Sequence, residues 1–117
     1  MSPAAKACEL ERGQWYCAGY AVALQRAGHA AEALEEAKKA GTLPDTFPGS
    51  RMLACYWTLA GNHPEALRRL RRAVHVGTTE SAIKSDSCFE PLHGDPEYAA
   101  ILAEARRLYP NAVKRSN

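Results

Sequence analysis

Cysteine and histidine are the side chains of this sequence best suited to nucleophilic catalysis or metal binding, and neither is arranged for that chemistry. The cysteines form no CxxC pair, and the histidines form neither an HExxH motif nor a pair four residues apart. Cys88 and His93 are close enough in sequence for an imidazole to activate a thiol, but no nucleophile motif or glycine-rich phosphate loop accompanies them. We therefore predict no catalytic residue, no metal site and no cofactor, and we do not expect an enzyme. The residues considered are Cys8, Cys17, Cys55, Cys88, His29, His63, His75 and His93.

The size, charge and hydropathy of the chain indicate one domain. With 117 residues and a net charge of +2, it can bury a core and is too weakly charged to favour nucleic acid or an anionic membrane. It has no apolar run of about 18 residues, and its first residues lack the apolar segment of a signal peptide. These features predict a soluble cytoplasmic protein with reduced thiols. A disulfide between two of the cysteines is the less favoured alternative.

Hydrophobic periodicity predicts helices that alternate between buried and amphipathic. Gln14–Ala27 carries apolar side chains in several directions, whereas Ala31–Ala40 places them on one face. The same pair recurs as helices over 48–60 and 64–76, and a glycine follows each helix. Gly41 is predicted to adopt the left-handed C-terminal cap of the second helix. The polar face of that helix is predicted to carry Glu32, Glu35, Glu36, Lys38 and Lys39.

Two short stretches of the sequence are similar, with five of eight positions identical. A-G-H-A-A-E-A-L begins at Ala27, and A-G-N-H-P-E-A-L begins at Ala60. We call the separation of these two alanines the repeat offset. Applying it once more aligns three glycines in phase with three alanines, all near helix junctions, which indicates a repeated unit of two helices. The aligned sets are Gly28, Gly61 and Gly94, and Ala33, Ala66 and Ala99.

The third unit is degraded. Its first helix is interrupted by polar residues and a proline, so we expect about one turn at Glu80–Lys84 and a short helix at Ser87–Leu92. Asp95 followed by proline is a strong helix start, and it predicts a closing helix over Pro96–Leu108. The polar tail 111–117 should be frayed.

A period of about 34 residues made of two antiparallel helices resembles the tetratricopeptide repeat (TPR) family. The family places small residues where its helices cross, a bulky residue three positions after the first of these, and glycine at the turn. The resemblance covers 14–77 well and 78–108 loosely, and Ala37 departs from it by replacing a large residue. The matching positions are Ala21 and Ala54, Leu24 and Trp57, Gly28 and Gly61, Ala33 and Ala66, and Ala40 and Ala73.

The resemblance implies an all-α fold, a right-handed stack of antiparallel helix pairs with about 6–8 helices in a single domain. Residues 1–12 would be an N-terminal capping helix or the remnant of a preceding repeat, and both options stay open. The remaining units would be repeat 1 over 14–46, repeat 2 over 47–79, a degenerate repeat 3 with its capping helix over 80–110, and the tail 111–117.

As to function, the resemblance implies a non-catalytic scaffold or adaptor that binds another protein on the concave surface lined by the first helices. Chaperone-binding members hold a C-terminal carboxylate there with lysines, arginines and asparagines. This chain has Ala18, Val22 and Met52 at those positions, so its apolar groove, edged by Arg26 and Arg51, predicts a hydrophobic peptide or helix as ligand. The predicted binding residues are Trp15, Val22, Arg26, Arg51, Met52, Cys55 and Leu59, on a face that also carries Ala18, Gly19, Gln25 and Pro48.

Two alternatives come from other surfaces. The exposed edge of the first unit could mediate self-association, as a structural module of a larger protein. An arginine cluster predicted on the outer face of the fourth helix could bind nucleic acid, although a solvated face neutralised by the acidic second helix is the favoured interpretation. No membrane partner is expected. The cluster consists of Arg68, Arg69, Arg71 and Arg72.

Overall fold

The computed structural model describes residues 13–110. Within this range the chain forms six α-helices, one 3₁₀ helix and no strand, which confirms the all-α prediction. The predicted N-terminal helix within 1–12 and the tail 111–117 lie outside the described residues. The elements are α1 (Gln14–Arg26), α2 (Ala30–Gly41), α3 (Phe47–Leu59), α4 (His63–His75), α5 (Glu80–Lys84), the 3₁₀ helix (Ser87–Leu92) and α6 (Pro96–Leu108).

Left-handed glycines end three of the helices in the same way. Gly28 after α1 has φ +88°, Gly61 after α3 has φ +85° and Gly77 after α4 has φ +122°. In each turn the next amide donates to the carbonyl five residues back, with an N···O distance of 2.9 Å. Gly94 also lies at a helix junction but not in this conformation, because it follows a 3₁₀ helix whose end needs no such reversal.

Side-chain caps fix where the helices begin, and they follow the repeat offset. Thr46 caps α3 and Thr79 caps α5, accepting hydrogen bonds from backbone amides at 3.0 and 3.2 Å. Asn62 caps α4 and Asp95 caps α6 in the same manner, at 3.2 and 2.8 Å. The members of each pair are separated by the repeat offset. The local signals that start and stop the helices therefore repeat together.

Alanines occupy the crossings of the first four helices. α1 packs against α2 and α3, and α3 packs against α4. Ala21 and Ala54 on the first helices, and Ala33 and Ala66 on the second helices, are each 0% exposed. Small side chains at these points allow the helix axes to approach closely. The small-residue positions identified in the sequence are therefore core positions.

The third pair is short and irregular, as predicted. Phe89 and Leu92 of the 3₁₀ helix are both 0% exposed, and this segment packs on α3. Glu80 of α5 accepts hydrogen bonds of 2.6–3.2 Å from the guanidinium of Arg106 in α6. α6 also packs against α4, where the Tyr109 hydroxyl that follows α6 donates to the carbonyl of Val74 at 2.6 Å. These contacts join the closing helix to the second pair.

A buried glutamine joins α1 to the linker that precedes α3. Gln14 is 2% exposed, and its Nε2 donates to Asp45 Oδ1 at 3.0 Å. Its Oε1 accepts from the Thr46 amide and the Ser50 hydroxyl, both at 3.1 Å. Burial alone would raise the pKa of Asp45, but the hydrogen bonds from Gln14 and Ser50 and the nearby Arg72 lower it. The joint between the first two helix pairs is therefore polar, and the amide group of Gln14 is hydrogen-bonded at both its nitrogen and its oxygen.

The predicted left-handed cap at Gly41 is wrong. Gly41 is the last residue of α2, and the helix ends at Thr42, whose hydroxyl donates to the Lys39 carbonyl at 2.7 Å. A Cβ atom on residue 41 would lie 3.0 Å from Nη2 of Arg69. The glycine therefore makes room for a guanidinium rather than for a backbone reversal.

Two charged residues predicted on outer faces are buried. Glu36 in α2 and Arg69 in α4 are each 8% exposed. Glu36 lies three residues after Ala33 and four before Ala40, so helical periodicity places it on their buried face, and Arg69 holds the equivalent position in the next unit. Arg69 is stabilised there by Glu65, at 3.0 Å from Nε to Oε2. The prediction that all four arginines face outward is therefore wrong for one of them.

Candidate functional site

An open groove of about 430 Å³ runs between α1, α3 and the segment that leads into the 3₁₀ helix. Small and apolar side chains form most of its surface, and one charged residue stands on each side. We call this feature the groove throughout. Its lining consists of Gly19, Val22, Ala23, Arg26, Met52, Cys55 and Asp86.

The α1 side of the groove is open because its residues are small. A Cβ atom added to Gly19 would meet no heavy atom within 4 Å, so the groove is unfilled at that point. Val22, 6% exposed, and Ala23 continue the apolar surface one turn further on. Arg26 lies in the last turn of α1, and no carboxylate of residues 13–110 lies within ion-pair distance of it. This wall therefore offers apolar contact and one unneutralised positive charge.

On the α3 side of the groove, the lining residue Cys55 takes part in a disulfide. Cys55 of α3 is bonded to Cys88 of the 3₁₀ helix, with their Cα atoms 5.6 Å apart. The two residues are 5% and 8% exposed, and their sequence separation of 33 equals the repeat offset. The bond therefore links two positions one repeat offset apart. Val22 lies one further repeat offset before Cys55.

The expectation of reduced thiols is contradicted. Cys17 is also disulfide-bonded, so none of the three cysteines in the described part of the chain is free. The absence of a CxxC pair favoured reduced thiols, and the Cys55–Cys88 bond depends on the third unit folding back onto α3. The separation of this pair, equal to the repeat offset, was the signal that could have suggested it.

The third wall of the groove is the segment from Asp86 to Leu92, and an ion pair is one of its contacts with α3. Arg51 Nη1 lies 2.6 Å from Asp86 Oδ2, and both side chains are partly buried. The other oxygen of Asp86 accepts a hydrogen bond from the Cys88 amide at 3.0 Å, which caps the 3₁₀ helix. Arg51 was predicted as a positive edge of the groove, but Asp86 neutralises it. Arg26 remains as the groove's unpaired cation among the described residues.

Four of the seven predicted binding residues line the groove: Val22, Arg26, Met52 and Cys55. Arg51 contacts the groove indirectly through its ion pair with Asp86. Trp15 and Leu59 lie outside the lining and are 45% and 38% exposed. Sequence reasoning missed the contribution of the third unit, because the register of a degraded repeat is difficult to extrapolate. The same predicted face also contains Gly19, which lines the groove, and Ala18, which is 0% exposed and belongs to the core.

The arginine cluster is neutralised by carboxylates other than those expected. Arg68 pairs with Glu65 at 2.8 Å, Arg72 lies 3.7 Å from Asp45, and Arg71 pairs with Glu97 of α6. The Arg68 guanidinium holds the pKa of Glu65 below its ordinary value. The acidic residues of α2 instead pair within their own helix, as in Lys38–Glu35 and Lys39–Glu36.

A second, smaller depression of about 320 Å³ lies beside the C-terminal segment. The Tyr98 ring packs against the His93 ring, with centroids 5.2 Å apart, and burial raises the pKa of the Tyr98 hydroxyl. The depression is lined by Lys84, His93, Tyr98, Ala99 and Leu102.

No group of three or more potential metal ligands is found among residues 13–110. Over the same residues, no helix is long and apolar enough to cross a bilayer.

Comparison of the chain with protein-family models, with curated proteins and with solved structures found no match. The TPR resemblance therefore stays a prediction from the sequence, and a functional interpretation rests on the geometry of the groove.

Proposed function

We propose that this chain is a non-catalytic protein–protein interaction module, a right-handed TPR-like stack that binds a peptide segment or helix in the groove. The observation that carries the proposal is an open apolar groove, unfilled at Gly19, with the unpaired charge of Arg26 at one end. Surfaces of this shape between helices are common sites of peptide recognition.

The TPR-like stack is supported by the repeated local geometry. Helix ends at Gly28 and Gly61, and helix starts at Thr46 and Thr79, both recur at the repeat offset. α1 packs on α3 as well as on its own partner α2, which is the contact that successive repeats make in such a stack.

The lining of the groove defines the chemistry of the ligand. Val22, Ala23 and Met52 fit apolar side chains, and burial of those side chains would supply most of the affinity. Arg26 would pair with a carboxylate, whereas Asp86 already uses its charge on Arg51. The ligand is therefore a segment with two or three apolar residues and one acidic residue beside them.

Filling the groove tests the proposal. A peptide selected from a random display library against the oxidised protein serves as the probe. Gly19→Leu should reduce its affinity by about tenfold or more, because the Cβ position of residue 19 is open and a longer side chain there fills the groove. Ala31→Leu, at an exposed position in α2, is the matched control and should leave affinity unchanged. Equal affinity of the probe for wild type and Gly19→Leu would contradict binding in the groove.

Self-association is a second candidate, favoured by an exposed aromatic pair. Trp15 and Tyr16 are 45% and 47% exposed and contact each other edge to face, with ring centroids 5.1 Å apart. Paired exposed aromatics are typical of interaction surfaces. Light scattering should then show a dimer that Trp15→Glu dissociates, and a wild-type monomer at high concentration would rule this candidate out.

Nucleic-acid binding has less support, because each arginine of the cluster has a carboxylate partner and Arg69 is buried. The cytoplasmic location stays a prediction, and its premise of reduced thiols is not met among the described cysteines.

A further inference from the structure

We infer that oxidation of Cys55 and Cys88 completes the groove, so that this chain acquires its binding surface only in an oxidising compartment. The effect of oxidation on ligand binding rests on the proposed function, whereas the restraint that the disulfide places on the third wall needs no ligand. It concerns how the third wall of the groove is held against α3.

The third wall packs on α3 through its apolar side chains, and on the side that faces the groove it has two further attachments. The segment from Asp86 to Leu92 is a capped 3₁₀ helix with Pro91 inside it, and a helix of this kind is not stable by itself. Phe89 and Leu92 anchor one side of the segment in the core. On the groove side, the contacts to α3 are the Arg51–Asp86 ion pair and the Cys55–Cys88 bond. A partly exposed ion pair contributes little alone, so the covalent bond is the main restraint on this side.

The position of the bond relative to Asp86 links oxidation to the groove. Asp86 lines the groove and lies two residues before Cys88, whose amide it caps at 3.0 Å. Fixing Cys88 against α3 therefore fixes the carboxylate that neutralises Arg51. Without the bond, Asp86 would be free to leave Arg51, and the groove would lose a wall and gain a second positive charge.

Burial indicates a permanent cross-link rather than a reversible switch. Cys55 and Cys88 are 5% and 8% exposed, so a thiolate reductant has little access to either sulfur in the folded chain. Cys17 is disulfide-bonded as well. Complete oxidation of the described cysteines is the pattern of proteins that fold outside the reducing cytosol.

The bond forms by thiol–disulfide exchange with an oxidised partner of the glutathione or disulfide-oxidoreductase class. One thiolate attacks the partner's disulfide and gives a mixed disulfide, and the second thiolate displaces the partner's sulfur. The two cysteines lose two protons and two electrons, and the partner's disulfide becomes two thiols.

Amide hydrogen exchange tests the restraint without a ligand. Relative to wild type, the variant Cys55→Ala/Cys88→Ala should show about tenfold or faster exchange at the amides of Phe89 and His93 through local opening, whereas amides of α2 should accelerate only as far as the loss of global stability requires. The double variant isolates this bond, since the disulfide of Cys17 stays intact. Global unfolding of the variant would also support the inference, because the unoxidised chain then has no groove. Unchanged protection of the segment would overturn it.

Binding of the display-selected peptide separates this inference from the proposed function. If oxidised wild type binds the probe and the double variant binds it about tenfold more weakly, both hold. If both proteins bind equally, the inference fails and the proposed function stands. If Gly19→Leu does not weaken probe binding while exchange still accelerates in the double variant, the proposed function fails and the restraint stands.

Discussion

Gln14 and Asp45 are hydrogen-bonded across 31 residues, at 3.0 Å from Nε2 to Oδ1, and this bond ties the first turn of α1 to the linker before α3. Gln14 also accepts from the Thr46 amide, so one side chain satisfies both a carboxylate and a backbone donor. Because Thr46 caps α3, the position of α3 relative to α1 depends on this glutamine. The relative position of α1 and α3, which form two of the three walls of the groove, therefore depends on this polar contact.

Gln14→Ala should destabilise the fold by about 1–3 kcal/mol, because it removes the acceptor of the part-buried Thr46 amide and a hydrogen-bond donor to Asp45. Gln25→Ala, in the same helix and only partly buried, is the matched control and should cost less than about 0.5 kcal/mol. Urea unfolding followed by circular dichroism measures both. Similar midpoints for the two variants would show that the joint does not depend on Gln14.

Gly49→Ala should destabilise the protein by about 1–3 kcal/mol through overpacking. A Cβ atom on residue 49 would lie 2.6 Å from both Gln14 Oε1 and Thr46 Oγ1, in a joint where neither group can move without losing a hydrogen bond. Gly19→Ala is the control, since its Cβ meets nothing within 4 Å and alanine favours the helix by up to about 1 kcal/mol. Chemical denaturation should move the two midpoints in opposite directions, and a stabilised Gly49→Ala would contradict the packing described.

The helices could be predicted from the sequence because their signals are local. These signals are the glycines at two helix ends, Gly28 and Gly61, and the aspartate–proline helix start at Asp95. Each acts through the backbone of a few adjacent residues. Predicted helix bounds agree with the structure to within about two residues. The exception is the cap at Gly41, where glycine leaves room for a tertiary neighbour, Arg69, and does not form a left-handed backbone turn.

The groove was predicted in part, since two of its walls lie on regular helices and its third does not. Val22 and Met52 could be placed because repeat register determines which face of each first helix is shared. Asp86 and the Cys55–Cys88 bond could not, because they depend on how an irregular segment folds back. The burial of Arg69 could have been predicted, since helical spacing aligns it with buried alanines.

Acid should weaken the contact between α5 and α6. The Arg106 guanidinium holds the pKa of Glu80 below its ordinary value of 4.5, although burial alone would raise it. A lowered folded-state pKa means that the stabilisation is complete above the ordinary value and is lost as pH falls through the folded-state value. Glu80→Gln should therefore lower the free energy of unfolding at neutral pH. It should also make that free energy fall less steeply below about pH 4.5. Unfolding midpoints measured across this range check it, and parallel pH profiles would contradict it.

Removing the Cys55–Cys88 bond should lower the free energy of unfolding by about 4 kcal/mol, because the bond closes a loop with a sequence separation of 33 residues in the unfolded chain. Cys55→Ala/Cys88→Ala tests this without affecting the disulfide of Cys17. Denaturant unfolding should show the loss, and adding a reductant should lower the wild-type midpoint toward that of the variant. A midpoint within experimental error of oxidised wild type would show that the bond does not stabilise the fold.

The two arginines at the groove should respond differently to charge reversal. Arg26→Glu should cost at most about 1 kcal/mol of stability, because it reverses a favourable charge at the C-terminal end of α1 and no carboxylate of the described residues pairs with it. It should weaken binding of the acidic, apolar probe peptide by about tenfold or more. Arg51→Glu should destabilise the fold, because it faces Asp86 at 2.6 Å, and Asp86→Arg in the same chain should restore part of the loss. Fluorescence anisotropy of the labelled probe gives the affinities, and urea unfolding gives the stabilities. If Arg26→Glu keeps wild-type affinity while the Arg51→Glu/Asp86→Arg pair loses it, the ligand's carboxylate lies at the third wall instead of at the end of α1.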